Sequence, residues 1–248
     1  MDETVRRAVE RAITTMRLDI GEPLAMDDLA RSAMFSKYHF SRVFREVTGV
    51  SPGRFLSAVR LAEAKRLLRS TPKTVTTISH QVGYHSVSTF STVFAQRVGI
   101  APDHFRRFGG VRPSTLAEEK PEPEPGAMVR GRVLAPDAVR GPVFVGLFRG
   151  RICEGTPVSC AMLPEPGPFS LPGVPEGDWQ LLAHCLDADR SETGEPGYVG
   201  CQSSVRIRPN TTVRMADIWL RPERVFDPPV LIELPPEQHL STELRLVG

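Results

Sequence analysis

The stretch from residue 36 to residue 49 combines groups that form hydrogen bonds and ion pairs with a helical pattern. Apolar residues recur in it at three- and four-residue steps, which is typical of one buried helix face. The opposite face carries a ring, a hydroxyl and three cations, namely Lys37, Tyr38, Ser41, Arg42 and Arg45. Proteins contact the bases and phosphates of DNA with such groups. A solvated charged face is the alternative interpretation.

Boundary signals place this stretch on a helix. The Ser36 hydroxyl can accept a hydrogen bond from a first-turn amide, and Gly49 can adopt the left-handed conformation that ends a helix. Upstream, apolar spacing predicts a helix over residues 4–18 and a shorter helix over residues 28–33. The order of helix, tight turn and helix is that of a helix-turn-helix. Asp27 is the predicted cap of the shorter helix.

The pattern then repeats with an offset of 50 residues. Six residues recur 50 positions later with the same type. Phe40, Val43, Phe44, Gly49, Pro52 and Phe55 are matched by Phe90, Val93, Phe94, Gly99, Pro102 and Phe105. Repeated core residues indicate a repeated structural unit. Ser51 and Pro52 begin a predicted connecting helix that ends near residue 69 and measures about 27 Å. That length is of the right order for two helices in successive major grooves, about 34 Å apart.

Several motifs share one register across about a hundred residues. They are Asp28-Leu29-Ala30, Phe40-x-x-Val43-Phe44-x-x-x-x-Gly49-x-x-Pro52, Arg60-Leu61-x-x-Ala64-x-x-Leu67-Leu68, Ile78-x-x-x-Val82-Gly83-Tyr84, and Phe90-x-x-Val93-Phe94-x-x-x-x-Gly99-x-x-Pro102-x-x-Phe105. With these motifs, residues 1–108 resemble the DNA-binding domain of the AraC family of transcription regulators. The resemblance implies an all-helical domain that binds specific sequences in double-stranded DNA.

The resemblance also implies roles for single residues. Base contacts carried over by position fall on Tyr38, Ser41 and Arg42 in the first unit and on Val87, Ser88, Ser91 and Thr92 in the second. Arg42 is the strongest candidate, because a guanidinium can form two hydrogen bonds with one guanine edge. The candidates for phosphate contacts are Lys37, Arg45 and Lys73.

Two departures from the family pattern bear on these roles. Met34 stands where the first turn of the family usually has glycine, which predicts a strained or differently shaped turn. Thr92, Ala95 and Gln96 stand where the second helix usually offers arginine or lysine, and Arg97 is the single cation between residues 75 and 100. We therefore expect the second unit to contribute less to DNA binding. A repeat kept mainly for packing is the alternative.

Charge divides the chain into two unlike halves. Residues 1–112 hold 18 Lys and Arg against 10 Asp and Glu, whereas the remainder holds 13 against 19. A basic first half favours a polyanionic partner, and the acidic second half does not. The sequence shows neither a long apolar run nor the apolar core of a signal peptide, so we expect a cytoplasmic protein with no membrane partner.

Alternating apolar residues, separated by Pro- and Gly-containing turns, replace the helical pattern in the second half. Strands are predicted over residues 128–134, 143–148, 169–171, 179–186, 203–208 and 212–220. The predicted fold class is therefore multidomain α and β, with an all-α tandem helix-turn-helix domain followed by an antiparallel β-sandwich. The predicted domains are a DNA-binding domain at 1–110, a Pro/Glu-rich linker at 111–127, a regulatory sandwich at 128–222 and a proline-rich tail at 223–248.

The run from Pro168 to Ala183 resembles the carboxypeptidase regulatory-like, transthyretin-like group of sandwiches, which implies a fold and no activity. We predict no enzyme, because the chain ends Arg-Leu-Val-Gly and lacks the Tyr-Arg-Gly-Ser ending of the transthyretin-like hydrolases. The neighbours His184 and Cys185 point to opposite faces of a strand. The four cysteines lack metal-ligand spacing, so we predict no metal and no cofactor. A thiol redox switch stays open.

A regulatory second domain is the interpretation that we favour. In the resembled family such a domain binds an effector or another subunit, which implies a small-molecule effector, a homodimer or a contact with RNA polymerase as further partners. The candidate pocket aromatics are Phe144, Phe148, Trp179 and Trp219, although core packing is the more usual role of aromatics in strands. The alternative is a DNA-anchored adaptor whose sandwich recruits a protein partner without an effector.

Overall fold

The computed structural model describes residues 3–108, 126–137, 139–185, 197–209 and 211–232. Most of the predicted linker and the end of the predicted tail lie outside the described residues. The chain forms two compact units. Unit 1 comprises Met1–Gly110, Ile152–Gly155 and Val225–Glu233, and unit 2 comprises Val111–Arg151, Thr156–Arg224 and Leu234–Gly248. The sequence-based boundaries placed 152–155 in the sandwich and 225–233 in the tail.

Within the described residues, all the helices lie in unit 1. Its helices are Glu3–Leu18 (α1), Met26–Ser32 (α2), Lys37–Thr48 (α3), Pro52–Ser70 (α4), Val75–Gln81 (α5), Val87–Val98 (α6) and Pro102–Arg107 (α7). The predicted boundaries of α3 are confirmed, because Ser36 Oγ accepts from His39 N at 3.3 Å and Gly49 is left-handed at φ 80°. The predicted Asp27 cap is wrong. Ala25 is the N-cap, and Asp27 lies within the first turn of α2, where a carboxylate favours the helix dipole.

The 50-residue repeat corresponds to a repeated aromatic core. In each half, two phenylalanines one helical turn apart have ring centroids 5.5 Å apart, and the second of them meets the next helix edge-on, also at 5.5 Å. All six rings are fully buried. The two triplets are Phe40, Phe44 and Phe55, and Phe90, Phe94 and Phe105. The same side chains therefore position α3 and α6 in the same way relative to the helices that follow them.

Arg60 on α4 fixes the connection between α1 and α2. Its Nε donates to Ile20 O at 3.1 Å, and its Nη2 donates to Glu22 O at 2.8 Å. Burial lowers the pKa of the Arg60 guanidinium from its ordinary value, but arginine stays protonated throughout the physiological range. Arg60 thus holds two backbone carbonyls beside the connecting helix.

Unit 2 is β-rich. Its strands are Ala127–Leu134 (β1), Val143–Phe148 (β2), Ser159–Leu163 (β3), Pro168–Val174 (β4), Gly177–Cys185 (β5), Tyr198–Ile207 (β6), Val213–Met215 (β7), Ile218–Trp219 (β8) and Arg221–Pro222 (β9). One sheet has the order β4-β1-β7, with β8 also paired to β1, and the other has the order β3-β2-β5-β6-β9. Side chains from both sheets share one hydrophobic core, which includes Val129, Leu171, Val145 and Leu181.

The strand pattern differs from the prediction in several places, among them the earlier start of β6, at Tyr198 instead of residue 203, and the unpredicted β9. Strand β3 was not predicted, because this edge strand is only partly buried and lacks clear alternation. The single strand predicted over 212–220 is divided into β7 and β8 near Asp217, whose Oδ1 accepts from Arg132 N at 2.8 Å. Pairing is also not wholly antiparallel, since β1 runs parallel to β7 and β8. The chain leaves β6 for the other sheet instead of reversing in a hairpin, which allows parallel pairing.

Within the described ranges, no helix is both long enough and apolar enough to cross a membrane. Those ranges also contain no group of three or more His, Cys, Asp or Glu side chains arranged to hold a metal ion. All four cysteines are free of disulfides; Cys153 and Cys185 are buried, whereas Cys160 and Cys201 are exposed.

Candidate nucleic-acid interface

The outer face of α3 brings together the predicted contact residues of the first unit. Lys37, Arg42 and Arg45 are exposed, and Ser41 is half-buried. Tyr38 has 83% of its surface exposed, so most of this large ring is available for contact with a partner. The helix thus offers a ring, a hydroxyl and three cations to solvent, with Phe40, Val43 and Phe44 holding its other face in the core.

Two of these cations are paired with carboxylates at the surface. Arg42 Nη1 lies 3.1 Å from Glu46 Oε1 one turn further along α3, and Lys37 Nζ lies 3.3 Å from Asp27 Oδ2 on α2. The four side chains are about half exposed or more, and pairs this exposed contribute only about 0–1 kcal/mol. A phosphate or a base edge can therefore replace either carboxylate at little cost. Neither Glu46 nor Asp27 was predicted from the sequence as a partner of these cations.

The outer face of α6 is polar but carries no exposed cation within the described residues. Ser88 and Thr92 are exposed, and Val87 and Ser91 are half-buried. Ser86 Oγ caps the helix by accepting from Thr89 N at 3.3 Å, and it also lies 2.8 Å from Ser88 Oγ. The structure therefore brings the four predicted residues of the second helix-turn-helix together at the N-terminal end of α6. Their side-chain hydrogen-bonding groups are hydroxyls.

Arg97, the cation near the end of α6, is turned away from that face. Its side chain is 15% exposed and pairs with the Glu154 carboxylate. Its Nη1 donates to Ser57 Oγ on α4. Glu154 was not predicted, because no local pattern links a residue between β2 and β3 to a helix residue 57 positions earlier.

Lys73 lies apart from α3 and α6, just before the first helix of the second helix-turn-helix. Its side chain is exposed, and its Nζ donates to Gln81 Oε1 at 2.6 Å. Its carbonyl accepts from Arg106 Nη2. The ammonium group therefore lies close to the C-terminal end of α5, where its partner is a neutral amide oxygen and not a carboxylate.

The turns that precede α3 and α6 have the same conformation. Met34 has φ 60° and Gly83 has φ 81°. In both turns the left-handed residue donates to a carbonyl three residues back, at 2.9 Å for each of Met34 and Gly83. The residue after it donates to a carbonyl five residues back, also at 2.9 Å. The expected strain at Met34 is thus present, whereas the shape of the turn is not altered.

The four candidate pocket aromatics of unit 2 do not lie together. Trp179 is in the shared core, where its Nε1 donates to Pro175 O at 3.0 Å. Trp219 is 66% exposed. Phe144 and Phe148 alternate with the core residues of β2, so they lie on the other face of that sheet. Their rings are 6.2 Å apart and flank Gly146, so that a Cβ there would lie 2.8 Å from Phe144.

Comparisons with known proteins identify the helical region. Residues 29–107 match a family model described as a helix-turn-helix domain. The chain is 39% identical over 80 residues to the HTH-type transcriptional regulator Rv1931c of Mycobacterium tuberculosis, covering 32% of this chain and 31% of that protein. It is 32% identical over 110 residues to the transcriptional regulator Rob of Salmonella typhimurium, covering 42% of this chain and 38% of that protein. The chain thus spans about a third of the length of these curated relatives.

A solved structure is also similar to part of this chain. It is a transcriptional regulator from Chromobacterium violaceum described as an AraC-type DNA-binding domain-containing protein, with 27% identity and a TM-score of 0.40. The alignment covers 43% of this chain and 95% of that chain. The family match and the curated relatives agree with the motifs quoted from the sequence. Residues 29–107 therefore form a helix-turn-helix domain that is similar in sequence to domains of known transcriptional regulators.

Proposed function

We propose that the chain is a sequence-specific transcription regulator whose tandem helix-turn-helix units place α3 and α6 in successive major grooves of DNA. The observation that carries the proposal is the repeated core, because it holds the two helices in equivalent settings while leaving one polar face of each exposed. The names of the relatives, a transcriptional regulator in each case, support the same function.

In this proposal α3 supplies most of the sequence preference. Arg42 contacts a guanine edge through its two terminal nitrogens, and Tyr38 and Ser41 contact neighbouring bases. Lys37 and Arg45 contact phosphates, which contribute affinity without sequence information. The exposed pair with Glu46 is compatible with this role for Arg42, because so weak a pair can be exchanged at little cost for a base edge.

The helix α6 provides the weaker second contact. Ser88, Ser91 and Thr92 offer hydroxyls, which accept or donate and therefore discriminate bases less strictly than a guanidinium. Val87 can pack against a thymine methyl. Because Arg97 is engaged by Glu154, α6 adds little attraction for phosphates, and Lys73 is the proposed phosphate contact of this unit.

We propose a regulatory role for the β-rich region, as a β-sandwich that senses an effector or forms a dimer. Two sheets around one core support the sandwich. Phe144 and Phe148 lie on the sheet face opposite that core and are buried there, at 5% and 3% exposed, whereas Trp179 and Trp219 lie elsewhere, so the four rings do not form one exposed pocket. DNA affinity that changes with a small molecule would favour a sensor over the adaptor alternative. A copurifying protein, with no response to small molecules, would favour the adaptor.

The decisive experiment is selection of bound duplexes from a random DNA pool by the full-length chain. We expect an enriched sequence with two blocks of preferred bases about one helical turn apart, the block bound by α3 being the stricter. Arg42→Ala and Lys37→Ala are then compared on the enriched duplex and on a scrambled one. Absence of any enrichment would contradict the proposed function.

A further inference from the structure

Unit 1 contains two segments from outside the helix-turn-helix sequence, namely Ile152–Gly155 and Val225–Glu233. Ile152 and Leu231 are 1% and 0% exposed and belong to the same hydrophobic core as the helices. The two segments also bond to each other, since Leu231 N and Ile232 N donate to Cys153 O at 2.8 and 3.2 Å. They are therefore parts of the core of the DNA-binding unit rather than appendages to it.

A buried lysine fixes the second of these segments to the connecting helix. Lys65 on α4 is only 8% exposed. Its Nζ donates to the carbonyls of Val230, Leu231 and Ile232 at 3.4, 2.9 and 3.3 Å. A buried ammonium group is costly unless its hydrogen-bonding capacity is used. These three carbonyls supply acceptors for it, so the segment and α4 depend on each other.

Glu154, in the first of these segments, joins two helices. One carboxylate oxygen pairs with Arg54 on α4, and the other pairs with Arg97 on α6. Glu154 and Arg97 are each 15% exposed, so water screens their attraction less than it does at the surface pairs of α3. The backbone adds to this contact, because Gly155 N donates to Arg97 O at 2.7 Å.

Gly155 permits this close approach. It has φ +69°, and a Cβ there would lie 3.3 Å from Gln96 O on α6. The first helix-turn-helix has no counterpart to this contact at the equivalent position. Val47, 50 residues before Arg97, is apolar and packs against the core directly. The helices α3 and α6 therefore share a repeated core but differ in the contacts that hold their C-terminal ends.

We infer that Glu154 is a positioning residue for DNA recognition: acting through Arg97 and Arg54, it sets the placement of α6 on α4 and hence the contact with the second major groove. Glu154 itself does not touch DNA. It lies in the connection between β2 and β3, so a change in the conformation of that connection alters the second groove contact and leaves α3 unaffected. This inference rests on the proposed function for its DNA consequence, whereas the placement of α6 is testable without DNA.

The first test uses amide hydrogen exchange on the full-length chain without DNA. In Glu154→Gln we expect the amides of α6 to exchange about 5- to 30-fold faster, while those of α3 change by less than about twofold. The control is Glu63→Gln, which removes the same charge from a carboxylate that is bonded to Arg66 at 2.7 and 2.8 Å within α4. Unchanged exchange in α6, or equal acceleration in α3 and α6, would overturn the inference.

The second test uses duplexes that the unchanged chain selects from a random pool. Glu154→Gln is expected to lose protection of one major groove and keep the other, whereas Glu63→Gln keeps both. Loss of both grooves together, or of neither, would contradict the inference. If the unchanged chain selects no duplex, the proposed function fails, and the exchange result still decides the placement of α6.

A milder variant covers the case in which Glu154→Gln does not fold. Arg54→Gln removes one arm of the pair at a side chain that is 57% exposed. We expect faster exchange in α6 again, by a smaller factor than in Glu154→Gln, because Arg97 still holds the carboxylate. Exchange in α6 that matches the unchanged chain would count against Glu154 as the link between the two helices.

Discussion

Replacing Met34 with glycine should stabilise the DNA-binding unit. Met34 has φ 60°, a left-handed conformation in which the Cβ of an L-residue approaches the following carbonyl oxygen. The equivalent turn before α6 has Gly83, with φ 81° and the same backbone hydrogen bonds. The backbone of the first turn therefore already has the conformation that glycine adopts without cost.

The expected size of the effect follows from three terms. Relief of the left-handed strain contributes about 1–2 kcal/mol. Greater freedom of the unfolded chain opposes it by about 0.4–1 kcal/mol. Loss of burial is small, because the Met34 side chain is 87% exposed. These terms leave a net gain between about 0 and 1.6 kcal/mol, centred at about 0.8 kcal/mol, which for a unit of this size corresponds to a rise in Tm of about 3–6 °C.

The assay is urea or thermal unfolding of the full-length chain, followed by the helical circular dichroism signal. Within the described residues that signal comes from unit 1. The matched control is Gly83→Ala, in which a Cβ would lie 2.6 Å from Arg60 Nη2 and 2.8 Å from Ile20 O. We expect this control to destabilise by at least about 2 kcal/mol, because strain adds to the displacement of a hydrogen-bonded arginine.

An unfolding midpoint of Met34→Gly that is lowered or unchanged, with Gly83→Ala destabilised, would contradict this expectation. That pair of results would mean that the Met34 side chain makes a contribution outweighing the strain of its backbone. DNA affinity is a useful second readout. The turn keeps its shape in Met34→Gly, so affinity for a selected duplex should stay within about threefold of the unchanged chain's.

Three further predictions follow from named contacts. Arg42→Ala should weaken binding to a selected duplex by about 1–3 kcal/mol and relax preference at one base pair, whereas Lys37→Ala should weaken binding to all duplexes alike; equal weakening by Arg42→Ala would make that residue a phosphate contact. Lys65→Met should lower the free energy of unfolding by about 1–3 kcal/mol, because three carbonyls lose their donor; an unchanged urea midpoint would contradict this. Trp179→Phe should lower the free energy of unfolding of the β-rich region by about 1 kcal/mol or more, since the hydrogen bond to Pro175 O is lost. An unchanged unfolding midpoint, followed by a near-ultraviolet signal that does not come from tryptophan, would contradict this.

The helices were predictable because their signals are local. Ser36 and Gly49 mark the ends of α3, and the spacing of Phe40 and Phe44 marks its buried face. The repeat adds independent support, since Phe90 and Phe94 recur in the same positions of α6. Core position, helix ends and turn conformation all follow from residues within a few positions of each other. The strain at Met34 was expected for another reason, namely that the resembled family usually has glycine in this turn.

Contacts between remote segments were not predictable from pattern. Glu154 and Leu231 carry no signal that places them beside α4 and α6, because such contacts depend on the whole path of the chain. Strand β3 was missed for a related reason: as an edge strand, it needs no strict alternation. The exposed partner Glu46 was within reach, since a spacing of four on a helix places it beside Arg42.

The most direct test of the central claim is a hydroxyl-radical footprint of the full-length chain on a duplex that it has selected. Two helices held in equivalent settings by a repeated core predict two protected regions on one face of the DNA, about 34 Å or one helical turn apart. The region contacted by α3 should withstand higher salt than the region contacted by α6. A single protected region, or two regions on opposite faces, would contradict the claim that both units contact DNA.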